Sequence, residues 1–200
     1  MKQVAGVILA AGVSSRFPGG KLQTRFQGEV VLRRIVKAAL DSCLSRIVVV
    51  LGHQAPEMID LLGDLRASER LEIVVNADFQ KGQSSSIKKG LAALGHGVQA
   101  VMFLVADQPL LTGSIIDDLV ACFQAKRKNI CHPMVQDQRR NPVIFSNALF
   151  DELMKLNADQ GGRRVIDAHP DDVAVMNFSD PRPFADIDTQ ADFDLLEARS

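Results

Sequence analysis

The first stretch able to do chemistry is Leu9-Ala10-Ala11-Gly12-Val13-Ser14-Ser15-Arg16, followed by Lys21. Small residues let backbone N–H groups close on a polyphosphate, and Arg16 and Lys21 bring positive charge to it. Two common phosphate fingerprints fail: Gly20-Lys21 is followed by Leu22, which breaks GxxxxGK[ST], and GxGxxG is absent. The same stretch also fits an ordinary strand-to-helix loop with solvated cations. A second candidate is Asp107 in Val105-Ala106-Asp107-Gln108-Pro109. A carboxylate leaving an apolar strand suits Mg²⁺, which takes one or two carboxylates plus phosphate oxygens. A turn-forming aspartate beside proline gives the same pattern.

Two further segments carry candidate groups. In Asp186-Ile187-Asp188-Thr189, alternation along a short strand puts both aspartates on one side, where either supplies a second metal carboxylate. Asp188 or Thr189 equally suits a cap for the helix that follows. In Asn76–Ser86, Gly82 and the hydroxyls from Ser84 make a donor-rich corner apt for a ribose or base edge, or a serine cap. His53, His96, His132 and His169 lack HxxxH or HExxH spacing, so zinc chemistry is not expected. There is no GxSxG elbow, and Cys43, Cys122 and Cys131 stand in no nucleophile context.

The elements that must position these groups follow from apolar patterning. Val4–Leu9, Ile47–Leu51, Leu71–Val75 and Val101–Val105 are continuous aliphatic runs, as parallel strands covered on both faces require. Helical patterns fall between them at Val30–Leu40, Pro56–Leu62 and Ser84–Leu94, the last ended by Gly95, and Thr112 is placed to cap Ile115–Lys126. Beyond this, Ile130–Met134 and Pro142–Ser146 flank the polar turn Gln136–Arg140 and suggest a hairpin. Helices are expected near Ala148–Leu156, Gly162–Ala168 and Gln190–Ala198, and a strand at Val173–Phe178. The expected fold is α/β: one Rossmann-like, three-layer domain over residues 1–200, its sheet mostly parallel with an antiparallel addition. In such sheets ligands bind at the carboxyl ends of the strands, where the candidate loops lie.

Composition narrows the function classes. The 200 residues amount to one domain, because chains divide only beyond roughly 250–300 residues. Hydrophobic content of 46% with 24% charged residues argues against disorder. Lys+Arg 23 against Asp+Glu 24 leaves a net charge of −1, which disfavours gripping nucleic acid or anionic membrane. Tyr and Trp are absent, removing the usual base-stacking platforms except Phe. No apolar run reaches the roughly 18 residues of a membrane span, and MKQVAGVILAAG shows no basic n-region with a cleavage site. Three scattered cysteines fit reduced thiols, so a cytoplasmic location is expected.

Taken together, these motifs resemble the nucleotidyltransferases related to molybdenum cofactor cytidylyltransferases, the MobA-like NTP transferase family. Its LAAGxSxRxGxxK signature is matched by Leu9-Ala10-Ala11-Gly12, Ser14, Arg16 and Lys21. Further matches are Asn76–Gly90, Ala106-Asp107-Gln108-Pro109, Arg140–Phe145, Gly161-Gly162-Arg163 and Asp186–Thr189, spanning nearly the whole chain in order. Pro18 stands where the family has glycine, and Asn141 where it often has histidine; no charged group is lost. The resemblance implies the nucleotide-diphospho-sugar transferase type of fold. It implies that Leu9, Ala10, Ala11, Gly12 and Ser14 cradle the nucleotide, and that Arg16 and Lys21 neutralise its phosphates. Asp107 would hold Mg²⁺ with Asp188, making Lys21, Arg16 and Asp107 the catalytic set. Gly82 and Ser84 would border the nucleoside, and Arg140, Asn141 and Arg163 would face the acceptor.

The implied reaction moves CMP from CTP to the phosphate of molybdopterin or its molybdenum-loaded form, with docking to a molybdoenzyme of the xanthine dehydrogenase type as a further implied partner. Guanylyl-transferring relatives tend to carry LAGG, and the Ala11 methyl here narrows the base pocket towards a pyrimidine. Alternatives are GTP as donor, a sugar- or polyol-phosphate as acceptor, or a non-catalytic cofactor-delivery chaperone. The sugar-1-phosphate enzymes usually show a GxGTR-type loop, whose second glycine is missing here.

Overall fold

A computed structural model describes residues 3–13, 17 and 19–198. Along the chain run β1 (Val4–Ala10), β2 (Arg25–Phe26), β3 (Glu29–Val30), α1 (Val31–Leu40), β4 (Ile47–Leu51), α2 (Ala55–Leu62), β5 (Leu71–Val75) and α3 (Gln83–Leu94). Then follow β6 (Ala100–Val105), α4 (Gly113–Lys126), β7 (Ile130–Val135), β8 (Gln138–Arg139), β9 (Val143–Ser146), α5 (Phe150–Met154), α6 (Arg163–Ala168), β10 (Val173–Phe178) and α7 (Gln190–Ala198). The main sheet has the order β10-β7-β9-β6-β1-β4-β5, with β8 hydrogen-bonded to β7. Pairs β1–β4, β1–β6, β4–β5 and β7–β10 are parallel, whereas β9 runs antiparallel to β6 and β7. The expected mostly parallel sheet with an antiparallel addition is what forms.

Side chains alternate across this sheet and feed two cores. Val4 and Ile8 of β1 join the core under α1, α2, α4 and α7, while Ala5 and Val7 join the one under α3, α5 and α6. The result is three layers. Gly90 lets α3 press on the sheet: a Cβ there would stand 2.4 Å from Val7 Cγ1, so no larger residue fits without displacing the helix.

Three local expectations change. The tight hairpin is β7–β8, closed by Gln136 and Asp137 at φ 50° and 59°, while β9 pairs only with the start of β7 and with β6. Two positive φ values at the centre of a two-residue loop match the twist of the flanking strands. Residues 185–188 form no strand; one backbone bond, Ile187 N–H to Asp107 O at 2.9 Å, docks them to the residue after β6 in place of a ladder. The helix expected over Ala148–Leu156 is a 3₁₀ turn at Asn147–Leu149 followed by α5. The β2–β3 hairpin has no counterpart in the sequence reading.

From β1 the chain winds through β4 and β5 on one side, then returns to β6 on the other. The carboxyl ends of β1 and β6 therefore flank a topological switch point, where open α/β sheets bind ligands.

Candidate active site

Two connected clefts open at that switch point. The smaller, about 500 Å³, is lined by residues 9–13 after β1, Lys21 and Leu22, the turn at Phe79–Gln83, Ser86, residues 105–107, Asp159 and Asp188. The larger, about 1120 Å³, has an apolar floor that includes Phe103, Val143, Phe145 and Ile166, and its polar wall includes Arg139, Arg140, Asn141, Arg163 and Arg164. Leu9, Gln83, Val105 and Asp159 border both.

The charged centre lies where β6 ends. Lys21 Nζ donates to Asp107 Oδ2 at 2.6 Å and to Asp188 Oδ1 at 3.2 Å. Burial penalises the Lys21 ammonium, but the charge and hydrogen bond of Asp107, reinforced by Asp188, outweigh it and hold its pKa above the ordinary lysine value. Asp188 reaches this centre because Ile187, fully buried, anchors the segment beside Asp107. Thr189 takes the capping role: Asp192 N–H donates to Thr189 Oγ1 at 3.2 Å, and Thr189 N–H donates to Asp192 Oδ2 at 2.7 Å. That leaves the Asp188 carboxylate for Lys21.

Behind the pair, Gln108 is 1% exposed. Its Nε2 donates to Asp186 Oδ1 at 2.9 Å and to Phe184 O at 3.2 Å. Asp107 Oδ1 and Gln108 Oε1 are buried with no hydrogen-bond partner among the described residues. Such orphaned acceptors are costly unless a ligand meets them. No group of three or more His, Cys, Asp or Glu placed to hold a metal occurs among the described residues. Asp107 and Asp188 alone can offer one or two carboxylate oxygens to a hard cation, which is what Mg²⁺ asks of a protein when phosphates and water complete its shell.

Asp186 lines the larger cleft. Separation from bulk water and the charges on Asp107 and Asp188 push its carboxyl up to about 6, against the opposing pull of Gln108 and Lys21. A carboxyl raised on folding stabilises the protein fully below its unfolded value of 3.8 and progressively less as pH rises through 6. In chelator-containing buffer, Asp186→Asn is therefore expected to raise the thermal midpoint at pH 7.5 and to lose that advantage by about pH 4. A midpoint difference that stays constant with pH would contradict this.

Of the residues singled out in the sequence, Leu9, Ala10, Ala11, Gly12, Lys21, Gly82, Asp107 and Asp188 line the smaller cleft. Arg140, Asn141 and Arg163 line the larger. Ser14 and Arg16 fall outside the described residues. Ser84 does not line either cleft: it is buried, and its N–H donates to Ala158 O at 3.1 Å. Ser86, two residues on, lines the smaller cleft instead, while Asn76 Nδ2 donates to both Ser85 and Ser86 hydroxyls. Ala11 braces the cleft wall, since a Cβ on Gly52 would come within 2.8 Å of its methyl. Gln83, Gln108, Arg139, Asp159 and Arg164 were not found from sequence. The Gly161-Gly162 pair and the two arginines after it were the signals pointing to that wall.

Purine catabolism protein PucB of Bacillus subtilis (strain 168) is 29% identical over 196 residues, covering 96% of this chain and 94% of that protein. Molybdenum cofactor cytidylyltransferase of Escherichia coli (strain K12) is 24% identical over 200 residues, covering 100% of this chain and 98% of that one. The crystal structure of Rv0371C from Mycobacterium tuberculosis H37Rv in complex with manganese superposes with a TM-score of 0.83 at 21% identity, covering 100% of both chains, which shows a shared fold. The MobA-like NTP transferase domain matches residues 6–173, a span that contains most of β1, all of β6 and most of both cleft walls, and the chain belongs to that family.

Proposed function

We propose that this protein transfers CMP from CTP to the phosphate of molybdopterin or the molybdenum cofactor and releases pyrophosphate. The observation that carries the reading is the Lys21 ammonium held between Asp107 and Asp188 in a small cleft that adjoins a larger, arginine-walled one. The small cleft suits a nucleoside triphosphate, with backbone of residues 10–13 towards its phosphates. The larger suits a bulky acceptor whose phosphate meets Arg140 and Arg163, the latter with an 87% exposed side chain.

The chemistry needs little beyond positioning and charge. A phosphomonoester is largely dianionic at neutral pH, its second pKa being about 6, so no general base is required. An acceptor oxygen forms a bond to the α-phosphorus as the bond to the bridging oxygen of pyrophosphate breaks, and the electron pair leaves with pyrophosphate. Lys21 offsets the repulsion between the two anions and the charge on the departing group. Asp107, with its unpaired Oδ1, and Asp188 would hold Mg²⁺, whose contribution is charge neutralisation on phosphate oxygens.

The base assignment rests on Ala11, whose methyl occupies volume a glycine would leave open. The acceptor assignment draws on the full-length similarity to a molybdenum cofactor cytidylyltransferase. Similarity to a purine catabolism protein supports a purine-oxidising molybdoenzyme of the xanthine dehydrogenase type as the downstream recipient.

The test is thermal stability with CTP, GTP, ATP or UTP plus Mg²⁺. A ligand at 100 times its Kd stabilises by about 2.7 kcal/mol, a midpoint shift of roughly 5–10 °C at this size. A shift with CTP alone is expected. A shift with GTP instead would keep the reaction and discard the Ala11 argument, and no shift with any of them would contradict the reading.

A further inference from the structure

We infer that Asp159, with Gln83, forms a ribose-recognition site at the seam between the two clefts, making the protein selective for ribonucleotides over 2′-deoxyribonucleotides. This rests on the nucleotidyl-transfer reading above and adds a specificity determinant to it. The seam is built from two strand ends and two side chains: Leu9 and Val105 form its floor, Gln83 and Asp159 its wall.

That wall is a tight interlock between segments distant in sequence. Gly82, at φ 94°, lets the 157–160 loop sit directly on the start of α3; a Cβ there would lie 2.4 Å from the Ala158 carbonyl carbon and 2.5 Å from Asp159 Oδ1. Reciprocally, a Cβ on Gly161 would lie 2.3 Å from Gln83 Oε1. Ser84 N–H to Ala158 O at 3.1 Å ties the two together, and the loop closes on itself through Gln160 N–H to Asn157 O at 3.1 Å. Gly161 thus makes room for the Gln83 side chain, and Gly82 for the Ala158 carbonyl together with the Asp159 carboxylate. Neither the Asp159 carboxylate nor the Gln83 amide has a hydrogen-bond partner among the described residues.

The chemistry of the pair selects what it can bind. An ionised carboxylate only accepts hydrogen bonds, and an amide both accepts and donates. Phosphate oxygens would be repelled by Asp159, so the group it meets must be a neutral donor. With the phosphates beside Lys21 and the backbone of residues 10–13, and the base between the Ala11 methyl and the turn at residues 79–82, the sugar lies between them along the seam. A vicinal diol offers two O–H donors there, and a site built to bond a hydroxyl rejects the analogue lacking it.

The test is calorimetric titration of the intact protein with CTP and 2′-deoxy-CTP in Mg²⁺ buffer, repeated with GTP and 2′-deoxy-GTP. The native protein is expected to bind the ribonucleotide about tenfold to a hundredfold more tightly, the worth of one hydrogen bond to a charged acceptor. Asp159→Ala should bring that ratio near one by weakening ribonucleotide binding alone. The isosteric Asp159→Asn, which keeps one acceptor, should retain part of the preference and carries the test if the alanine variant is unstable. Equal binding of both sugars by the native protein would overturn the proposal, as would an Asp159→Ala variant that weakens both equally. Failure to bind any of the four nucleotides would overturn the nucleotidyl-transfer reading itself.

Discussion

Asp107→Ala is expected to lower the proposed CMP transfer by roughly a hundredfold to a thousandfold, the range for removing one preorganised electrostatic group, while the fold persists. The side chain is the loss that matters. Its Oδ2 accepts from Lys21 and its buried Oδ1 is unpaired, whereas the bond that docks the 186–188 segment uses the Asp107 backbone carbonyl. Truncation therefore leaves Ile187 anchored and Asp188 still bonded to Lys21. It also removes a carboxylate that raises Asp186, so stability at neutral pH should change little. Steady-state pyrophosphate release against Mg²⁺ concentration measures the effect. Unaltered turnover at every Mg²⁺ concentration would end the assignment of Asp107 to the reacting phosphates.

Lys21→Ala is expected to cost a similar factor in rate and, unlike Asp107→Ala, to cost stability as well. The Lys21 side chain is 15% exposed and is the cation between Asp107 and Asp188. Without it, those two carboxylates and Asp186 repel one another at the concave end of the clefts, a loss of about 1–3 kcal/mol at neutral pH. A divalent cation can substitute for the lost ammonium, so added Mg²⁺ should raise the thermal midpoint of the variant more than that of the native protein. Equal Mg²⁺ responses would separate Lys21 from the acidic pair. The same variant distinguishes catalysis from delivery: a molybdoenzyme that still matures at normal yield would make transfer inessential to this protein's role.

Much of the scaffold is legible in the sequence because its strands are buried on both faces and so read as unbroken aliphatic runs. Asp107 is legible for a related reason, since a charged residue just past such a run emerges at the sheet's carboxyl edge, whereas Lys21, well beyond β1, is legible only from the small-residue loop pattern it ends. The hairpin over 136–140 is harder. Gln136 and Asp137 take positive φ without the Asn-Gly or Asp-Gly signal that marks such turns, so the second strand hides in the presumed loop. Residues 186–188 show alternation, yet one long-range backbone bond to Asp107 and side-chain bonds from Gln108 and Lys21 hold them instead of a ladder. Three consecutive serines cannot reveal which one lines the cleft. Helical rotation buries Ser84 beneath Ala158 and turns Ser86 to the cleft. The seam residues are invisible for the same reason: Gln83 and Asp159 meet only through close approaches at Gly82 and Gly161, and those depend on the assembled fold.

The proposed nucleotidyl transfer is followed through the α-phosphate. The protein is incubated with α-labelled CTP, molybdopterin and Mg²⁺, and the products are separated by chromatography. The label should move into a molybdopterin adduct with an equal amount of pyrophosphate released. Label that remains in CTP, or that appears as free CMP with no adduct, would contradict the account.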